Sequence, residues 1–413
     1  MKLNKITILF SWFIIIIFSV QYNPLTAQES STNPKRLDRL VELAITKSLE
    51  CIRKSVSEIK SPALYPTYAD KSLHWKLKSS DDWTSGFYPG CLWYAYELSK
   101  DNNFKQYAIQ WTAGIERQKY NTKTHDLGFR FGCSFVKGLK LAPNDSATAR
   151  YKEIILTASK TMDQRFVPEI GAYTSDWDFK PLPNSVPVVI DIMMNLEMLL
   201  WTAQNGGDTE RVKRCITHAA TSYRDLIRPD ASSFHIARYD KNTGQLLNQG
   251  QLQGDVDSST WSRGHAWMIY GLVTLYRFTK EEQYLLKAMK ESDYFLQHLP
   301  KDRIARWDFQ SAIDYRDASA SAIVCSALLE MQGYIKNRKK QRHYLSEAEK
   351  ILESLCQKPY FSEGTNTNCL LLHSTQYFHR TDNTDVPCSF ADYYFMESLV
   401  RYKAWRSKRN LAL

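Results

Sequence analysis

Six times along this chain a carboxylate stands in front of an apolar, helix-forming run: Asp82, Asp126, Asp191, Asp257, Asp317 and Asp392. Asp82-Trp83-Thr84-Ser85-Gly86-Phe87 and Asp191-Ile192-Met193-Met194-Asn195-Leu196 show the pattern. The spacing is irregular, roughly 45 to 75 residues, so the repeat is structural and degenerate. Aspartate suits a helix start because its oxygens accept the free N–H groups of the first turn. A ring of helices that all begin at one end would gather these polar starts over a single pocket.

Helical periodicity dominates the rest of the chain. It predicts helices over roughly 37–60, 86–99, 102–118, 128–141, 145–165, 187–205, 208–227, 262–280, 281–298, 317–336, 343–357 and 390–406. Short turns such as Asn205-Gly206-Gly207-Asp208 join them in pairs. Segments 171–179, 233–250 and 367–374 read as hairpins or loops, with Asn242-Thr243-Gly244 as a turn in the second. One helix of each pair is apolar throughout, as in Ala318-Ser319-Ala320-Ser321-Ala322, and its partner is amphipathic. An inner ring of buried helices inside an outer ring of half-exposed ones accounts for that asymmetry. The expected fold is all-α, an (α/α)6 barrel. A solenoid of helix pairs is the alternative, but the buried-type helices carry Trp, Asp and Arg at one end instead of a uniform apolar seam.

Lys2 and Lys5 precede an apolar stretch from Ile6 to Val20, and Leu25-Thr26-Ala27 offers a small-residue cleavage site. Residues 1–27 therefore read as a signal peptide and 28–413 as a single catalytic domain, with a periplasmic or secreted location. Losing Lys2 and Lys5 lowers the formal net charge from +10 to +8. A basic exported protein suits an acidic polysaccharide, a membrane surface or nucleic acid as partner. No nucleic-acid motif is present, and no membrane partner beyond export is expected. The chain is expected to work as a monomer. None of the eight cysteines forms a C-x-x-C pair, and most lie in apolar helical patterns, which favours buried thiols over bridges.

Phosphate-loop, dinucleotide, zinc-protease and serine-elbow motifs are all missing, and the nine histidines are dispersed. No metal and no cofactor is expected. Asp191 is the first candidate for catalysis. Its flanks, Val186-Pro187-Val188-Val189-Ile190 and Ile192-Met193-Met194, would desolvate the carboxyl and raise its pKa, as a general acid requires. Asp126, in His125-Asp126-Leu127-Gly128-Phe129, is the second, and Gly128 permits close approach beside it. The densest segment is Asp257-Ser258-Ser259-Thr260-Trp261-Ser262-Arg263-Gly264-His265-Ala266-Trp267. Its tryptophans offer faces for a sugar ring, and Arg263 can fork onto a carboxylate. Trp83, Phe87, Trp177 and His235 are candidates for the pocket rim. For each aspartate, capping alone is the plainer reading.

Trp83-Thr84-Ser85-Gly86-Phe87-Tyr88-Pro89-Gly90, His125-Asp126-Leu127-Gly128-Phe129, Asp191-Ile192-Met193-Met194-Asn195-Leu196, Trp261-Ser262-Arg263-Gly264-His265-Ala266-Trp267 and Arg316-Asp317-Ala318-Ser319-Ala320 resemble the unsaturated glucuronyl hydrolases of glycoside hydrolase family 88. The motifs span roughly residues 80 to 405 in family order. The resemblance implies an (α/α)6 barrel that hydrates the 4,5-unsaturated uronic acid at the non-reducing end of lyase-generated oligosaccharides, here of glycosaminoglycan type. It further implies Asp191 as acid and base and Asp126 as the second essential acid. His235, Gln253, Arg263, Trp267, Trp83 and Trp177 would bind substrate. Two departures stand out. Leu252 occupies a place where the family commonly has histidine, and Ser389-Phe390-Ala391-Asp392-Tyr393-Tyr394-Phe395 lacks the usual Trp-Gly before its Asp-Tyr-Tyr-Phe. The loop from His373 to Arg380 carries no clear sulfate-reading motif. The alternatives are an unsaturated rhamnogalacturonyl hydrolase of family 105 acting on pectin fragments, a non-catalytic exported glycan-binding barrel, and an ordinary inverting glycosidase.

Overall fold

The computed structural model describes residues 34–409, so the leader expected over residues 1–27 lies outside the described residues. The described residues form one compact unit. Among the described residues there are twelve α-helices. They are α1 (Pro34–Glu58), α2 (Phe87–Ser99), α3 (Asn102–Ala113), α4 (Lys137–Leu141), α5 (Tyr151–Asp163), α6 (Ile192–Gln204), α7 (Glu210–Leu226), α8 (Ser262–Thr279), α9 (Glu282–Gln297), α10 (Ala318–Met331), α11 (Arg338–Leu355) and α12 (Ser389–Arg406). A π-helix, Gly128–Val136, runs directly into α4. No helix of the described residues is long and apolar enough to cross a membrane.

The inner ring closes on itself: α2 packs on the π-helix and α4, these on α6, and α8, α10 and α12 lead back to α2. Helices α3, α5, α7, α9 and α11 lie outside it, and α1 packs against α2 and α11. This is the (α/α)6 toroid. Burial separates the two rings as the apolar patterns require. Every residue of α10 from Ala318 to Leu329 is buried, whereas α11 buries one face through Tyr344, Ala348, Ile351, Leu352 and Leu355. All eight cysteines are unbridged, so packing and not covalent staples holds the ring.

The strands lie in the connections. β1 (Tyr65–Ala69) and β2 (Trp75–Lys78) form a hairpin, β3 (Phe166–Val167) pairs with β4 (Ala172–Tyr173), and β6 (Ile236–Asp240) lies between β5 (Ser185–Val189) and β7 (Leu246–Gly250) in an antiparallel sheet. The first hairpin had no counterpart in the sequence reading. The helix expected from residue 187 starts only at Ile192, because the β-branched run Val186–Val189 pairs with β6 instead. The helix expected from 145 starts at Tyr151, after a short 3-10 turn capped by Asp145.

A polar hub lies inside the ring. Glu397 of α12 is fully buried and accepts hydrogen bonds from Tyr94 of α2 (2.6 Å), Tyr270 of α8 (2.9 Å) and Ser326 of α10 (2.6 Å). Lys137 of α4 lies 3.4 Å from it and 3.7 Å from Glu197 of α6. Arg277 bridges Glu197 and Glu330, and Arg401 pairs with Glu330. All six inner positions thus contribute to one network. Burial alone would raise the Glu397 carboxyl, but Arg401 and Lys137 hold it down at about 2. Removing one member of such a network leaves buried charge uncompensated. Glu397→Gln is expected to lower unfolding free energy by about 3–5 kcal/mol, read by denaturant titration. A change within error would make the hub dispensable.

Candidate active site

The segments leading into α2, the π-helix, α6 and α8 meet around a cavity of about 630 Å³, within the range of small-ligand sites. Asp126 and Asp191 both line it, together with Trp83, Trp177, Gln253 and Arg263. Asp126 stands just before the π-helix, and Asp191 just before α6. The two helices touch because Gly128 has no side chain: a Cβ there would lie 2.4 Å from Asn195 Cα. Asn195 then ties them, accepting the Phe129 N–H at 3.0 Å and donating to the Asp191 carbonyl at 3.3 Å.

Asp191 holds the N-cap position of α6 but makes no side-chain cap bond. Instead β5 delivers it beside His235. Val189 pairs with Ile236, so the residues that follow one strand and precede the other meet. His235 Nε2 lies 3.1 Å from Asp191 Oδ2, off the line of an ideal hydrogen bond, and neither atom has another partner. The Gln253 N–H donates to His235 Nδ1 at 3.2 Å, so in the neutral ring the proton sits on Nε2, facing Asp191. This corrects the expected raised pKa. Burial does push the Asp191 carboxyl up, but His235, with His125 and Arg263 behind it, outweighs burial and holds it below its ordinary value.

Asp126 has a similar partner. His125 Nε2 lies 3.2 Å from its Oδ1, and His125 Nδ1 is 2.9 Å from Ser175 Oγ. Gln253 Oε1 accepts from Arg263 Nη2 at 3.1 Å, which leaves its amide Nε2 as a donor for a ligand. Arg263 is 1% exposed and already committed: Nη1 binds Asp317 Oδ2 (2.7 Å) and the Thr375 carbonyl, while Nη2 also binds the Gln376 carbonyl (2.6 Å). Its guanidinium also lies between the rings of Trp261 and Phe390. It fixes the cavity wall more than it presents free donors.

Two expected binding residues do not form cavity wall. Trp267 is buried between Phe129 and Tyr394, and the His235 ring sits behind Asp191, stacked on Trp261. Nor do all six aspartates converge. Asp82 caps Thr84 in the wall and Asp317 anchors Arg263, but Asp257 lies in a loop where its Oδ1 accepts the Gln251 N–H. Asp392 is buried in the first turn of α12, accepting the N–H groups of Leu370 (3.0 Å) and Leu371 (2.9 Å). The connections between helices supply what the sequence reading missed, namely Lys78 at the end of β2, and Lys123, Tyr377 and Arg380 from loops. No local pattern marks them, since they reach the cavity from three separate connections, Tyr377 and Arg380 from the same one.

Charge around the cavity is asymmetric. Each lining carboxylate has a protein partner: Asp81 has Ser79, Asp82 has Thr84, Asp126 has His125, Asp176 has Arg165 and Asp191 has His235. Lys78, Lys123 and Arg380 form no ion pair with any carboxylate among the described residues, although Arg380 lies 5.5 Å from the Tyr377 ring centre.

The sequence profile of Glycosyl Hydrolase Family 88 matches residues 60–408. The chain belongs to this family. An unsaturated glucuronyl hydrolase of Formosa agariphila is 39% identical over 340 residues, 81% of this chain and 82% of that protein. An unsaturated chondroitin disaccharide hydrolase of Streptococcus agalactiae is 29% identical over 392 residues, 91% of this chain and 97% of that protein. The crystal structure of an unsaturated glucuronyl hydrolase specific for heparin matches with a TM-score of 0.84 at 32% identity, covering 91% of this chain and all of that one.

Two outcomes are expected of this family 88 barrel. Gly128→Ala would force α6 and the π-helix apart, at a cost of about 1–3 kcal/mol, and would lower kcat about 100-fold by separating the two acids. Normal activity would show that their spacing is not critical. Burial lifts Asp392 to about 7 in the fold, above its unfolded value. Its contribution to stability is therefore complete below about pH 4 and lost as pH rises through about 7. Asp392→Asn should flatten the fall of Tm across that window, measured by thermal unfolding against pH.

Proposed function

We propose that the protein hydrolyses oligosaccharides of glycosaminoglycan type that carry a 4,5-unsaturated uronic acid at the non-reducing end, by hydrating that double bond. The observation that carries this reading is the pairing of Asp126 and Asp191 in one cavity whose carboxylates are all partnered while three cations are not. Such a cavity suits an acidic ligand that needs a proton donor.

In this reading Asp191 delivers a proton to C4 of the enol ether. Positive charge then develops at C5 and the ring oxygen, and the Asp191 carboxylate stabilises it and takes a proton from the water that adds at C5. The hemiketal so formed opens and releases the neighbouring sugar. One carboxyl serves first as acid and then as base. Asp126, oriented by His125, holds ring hydroxyls. The Gln253 amide and the free cations Lys78, Lys123 and Arg380 take acidic and polar substituents. Trp83 and Trp177 supply apolar faces to the sugar.

The depressed pKa of Asp191 makes its protonation depend on substrate. The incoming uronate carboxylate brings a like charge, which raises the carboxyl and draws a proton onto it. Substrate binding near neutral pH should therefore take up about one proton per site. Calorimetry in buffers of different ionisation enthalpy, with a saturated uronide as unreactive ligand, would measure it. Asp191→Asn should abolish both that uptake and the loss of ultraviolet absorbance that reports the double bond, with the fold intact by circular dichroism. Turnover by Asp191→Asn would remove the assignment, and release of saturated sugars without absorbance loss would favour an ordinary glycosidase. We further infer export from the leader read over residues 1–27, which secretion of an Ala27-cleaved product from a bacterial host would test.

A further inference from the structure

Each of the two acids faces one histidine, but the far nitrogen of each ring is held in a different way. For His235 the holder is the backbone N–H of Gln253, which can only donate. For His125 it is the hydroxyl of Ser175, 2.9 Å from Nδ1. A hydroxyl donates or accepts, so the state of this ring depends on what else Ser175 binds. Ser175 Oγ also accepts the Trp177 N–H at 2.8 Å, and the Ser175 N–H donates to the Pro187 carbonyl at 2.8 Å. Both Ser175 and His125 are buried.

The two loops that carry these residues are clasped by one guanidinium. Arg165, just after α5, donates to the Thr122 and Thr124 carbonyls on the Asp126 side. It also donates to the Thr174 carbonyl and the Asp176 carboxylate on the Trp177 side. The two loops are therefore held in one register. Thr124 Oγ1 accepts the Asp126 N–H at 3.0 Å and lies 3.3 Å from Asp126 Oδ2, which leaves Oδ1 to His125. A line of contacts thus runs from the Trp177 N–H through Ser175 Oγ and the His125 ring to Asp126 Oδ1, in steps of 2.8, 2.9 and 3.2 Å. Trp177 and Asp126, at its two ends, both line the cavity.

Proton directions along this line follow from the groups themselves. An ionised carboxylate has no proton to give, so a neutral ring lies best with Nε2–H toward Asp126 and its Nδ1 lone pair toward Ser175. The Ser175 hydroxyl then supplies the proton that Nδ1 accepts. The opposite tautomer would set a lone pair against a carboxylate oxygen at 3.2 Å.

We propose that Ser175 is a positioning residue for the reaction: its hydroxyl fixes the His125 ring with the proton on Nε2, holds Asp126 ready for the sugar hydroxyls, and ties that setting to the loop that carries Trp177. The role of Asp126 in this proposal rests on the hydration reading of the cavity, whereas the state of the His125 ring is measurable without it.

The first measurement is a long-range proton–nitrogen correlation spectrum of the histidine rings at about pH 8.5, where an ordinary imidazole is neutral. The His125 signals are identified by their loss in His125→Gln. The wild type should show Nε2 protonated and Nδ1 bare but accepting a hydrogen bond. In Ser175→Ala the Nδ1 resonance should move toward that of a nitrogen without a donor. The second measurement is turnover of a lyase-generated disaccharide, followed by absorbance loss. Ser175→Ala should lower kcat/KM about tenfold, the size of one lost hydrogen bond. In the His125→Gln background, where an amide donor faces Asp126 and has no tautomer to set, the same change should cost no more than about twofold. A wild-type ring that carries a proton on Nδ1, an Nδ1 resonance unmoved in Ser175→Ala, or an equal loss in both backgrounds would overturn the proposal. If the wild type causes no absorbance loss, the hydration reading has failed, and the ring spectrum alone decides whether Ser175 sets His125.

Discussion

Closure of the inner ring depends on one buried carboxylate. Glu397 collects hydrogen bonds from three other inner helices and shares Lys137 with a fourth through Glu197. Buried charge is unfavourable unless every partner is in register, so this network admits one rotation and height for each helix. With those fixed, the starts of α2, the π-helix, α6 and α8 meet around the cavity.

Within that frame the proposed chemistry would turn on a histidine and an acid from different parts of the chain. The pairing of β5 with β6 sets His235 against Asp191, and the Gln253 N–H fixes which ring nitrogen carries the proton. The resting site therefore holds Asp191 ionised near neutral pH, and in the proposed reaction an anionic substrate would supply the charge that reverses this. The same segment that orients His235 also lines an adjoining cavity of about 440 Å³.

Much of the fold was legible. The apolar runs at 86–99, 262–280, 317–336 and 390–406 became α2, α8, α10 and α12 within a few residues, because a helix buried on all sides needs no polar face and shows it. Asp126 and Asp191 were legible from their apolar surroundings, and the cavity brings both to its wall. The strand at Ser185–Val189 was misread, since a short β-branched run is ambiguous until its partner is known. The pKa of Asp191 went the other way for the same reason: desolvation is written in its neighbours, while His235 is brought in by sheet pairing. Trp267 looked like a sugar platform and is core, because a tryptophan's exposure depends on which face its helix turns inward.

By itself, the sequence determined which helices are buried, where they start and which acids stand at those starts, because periodicity, capping and apolar flanks act within a few residues. Only the tertiary structure decided which of the six acids share a cavity, which are caps or anchors, and which cations remain free to meet an acidic ligand. Those properties belong to contacts between residues far apart in the chain, such as Arg263 with Asp317 and the Gln376 carbonyl, and no local pattern encodes a partner's position.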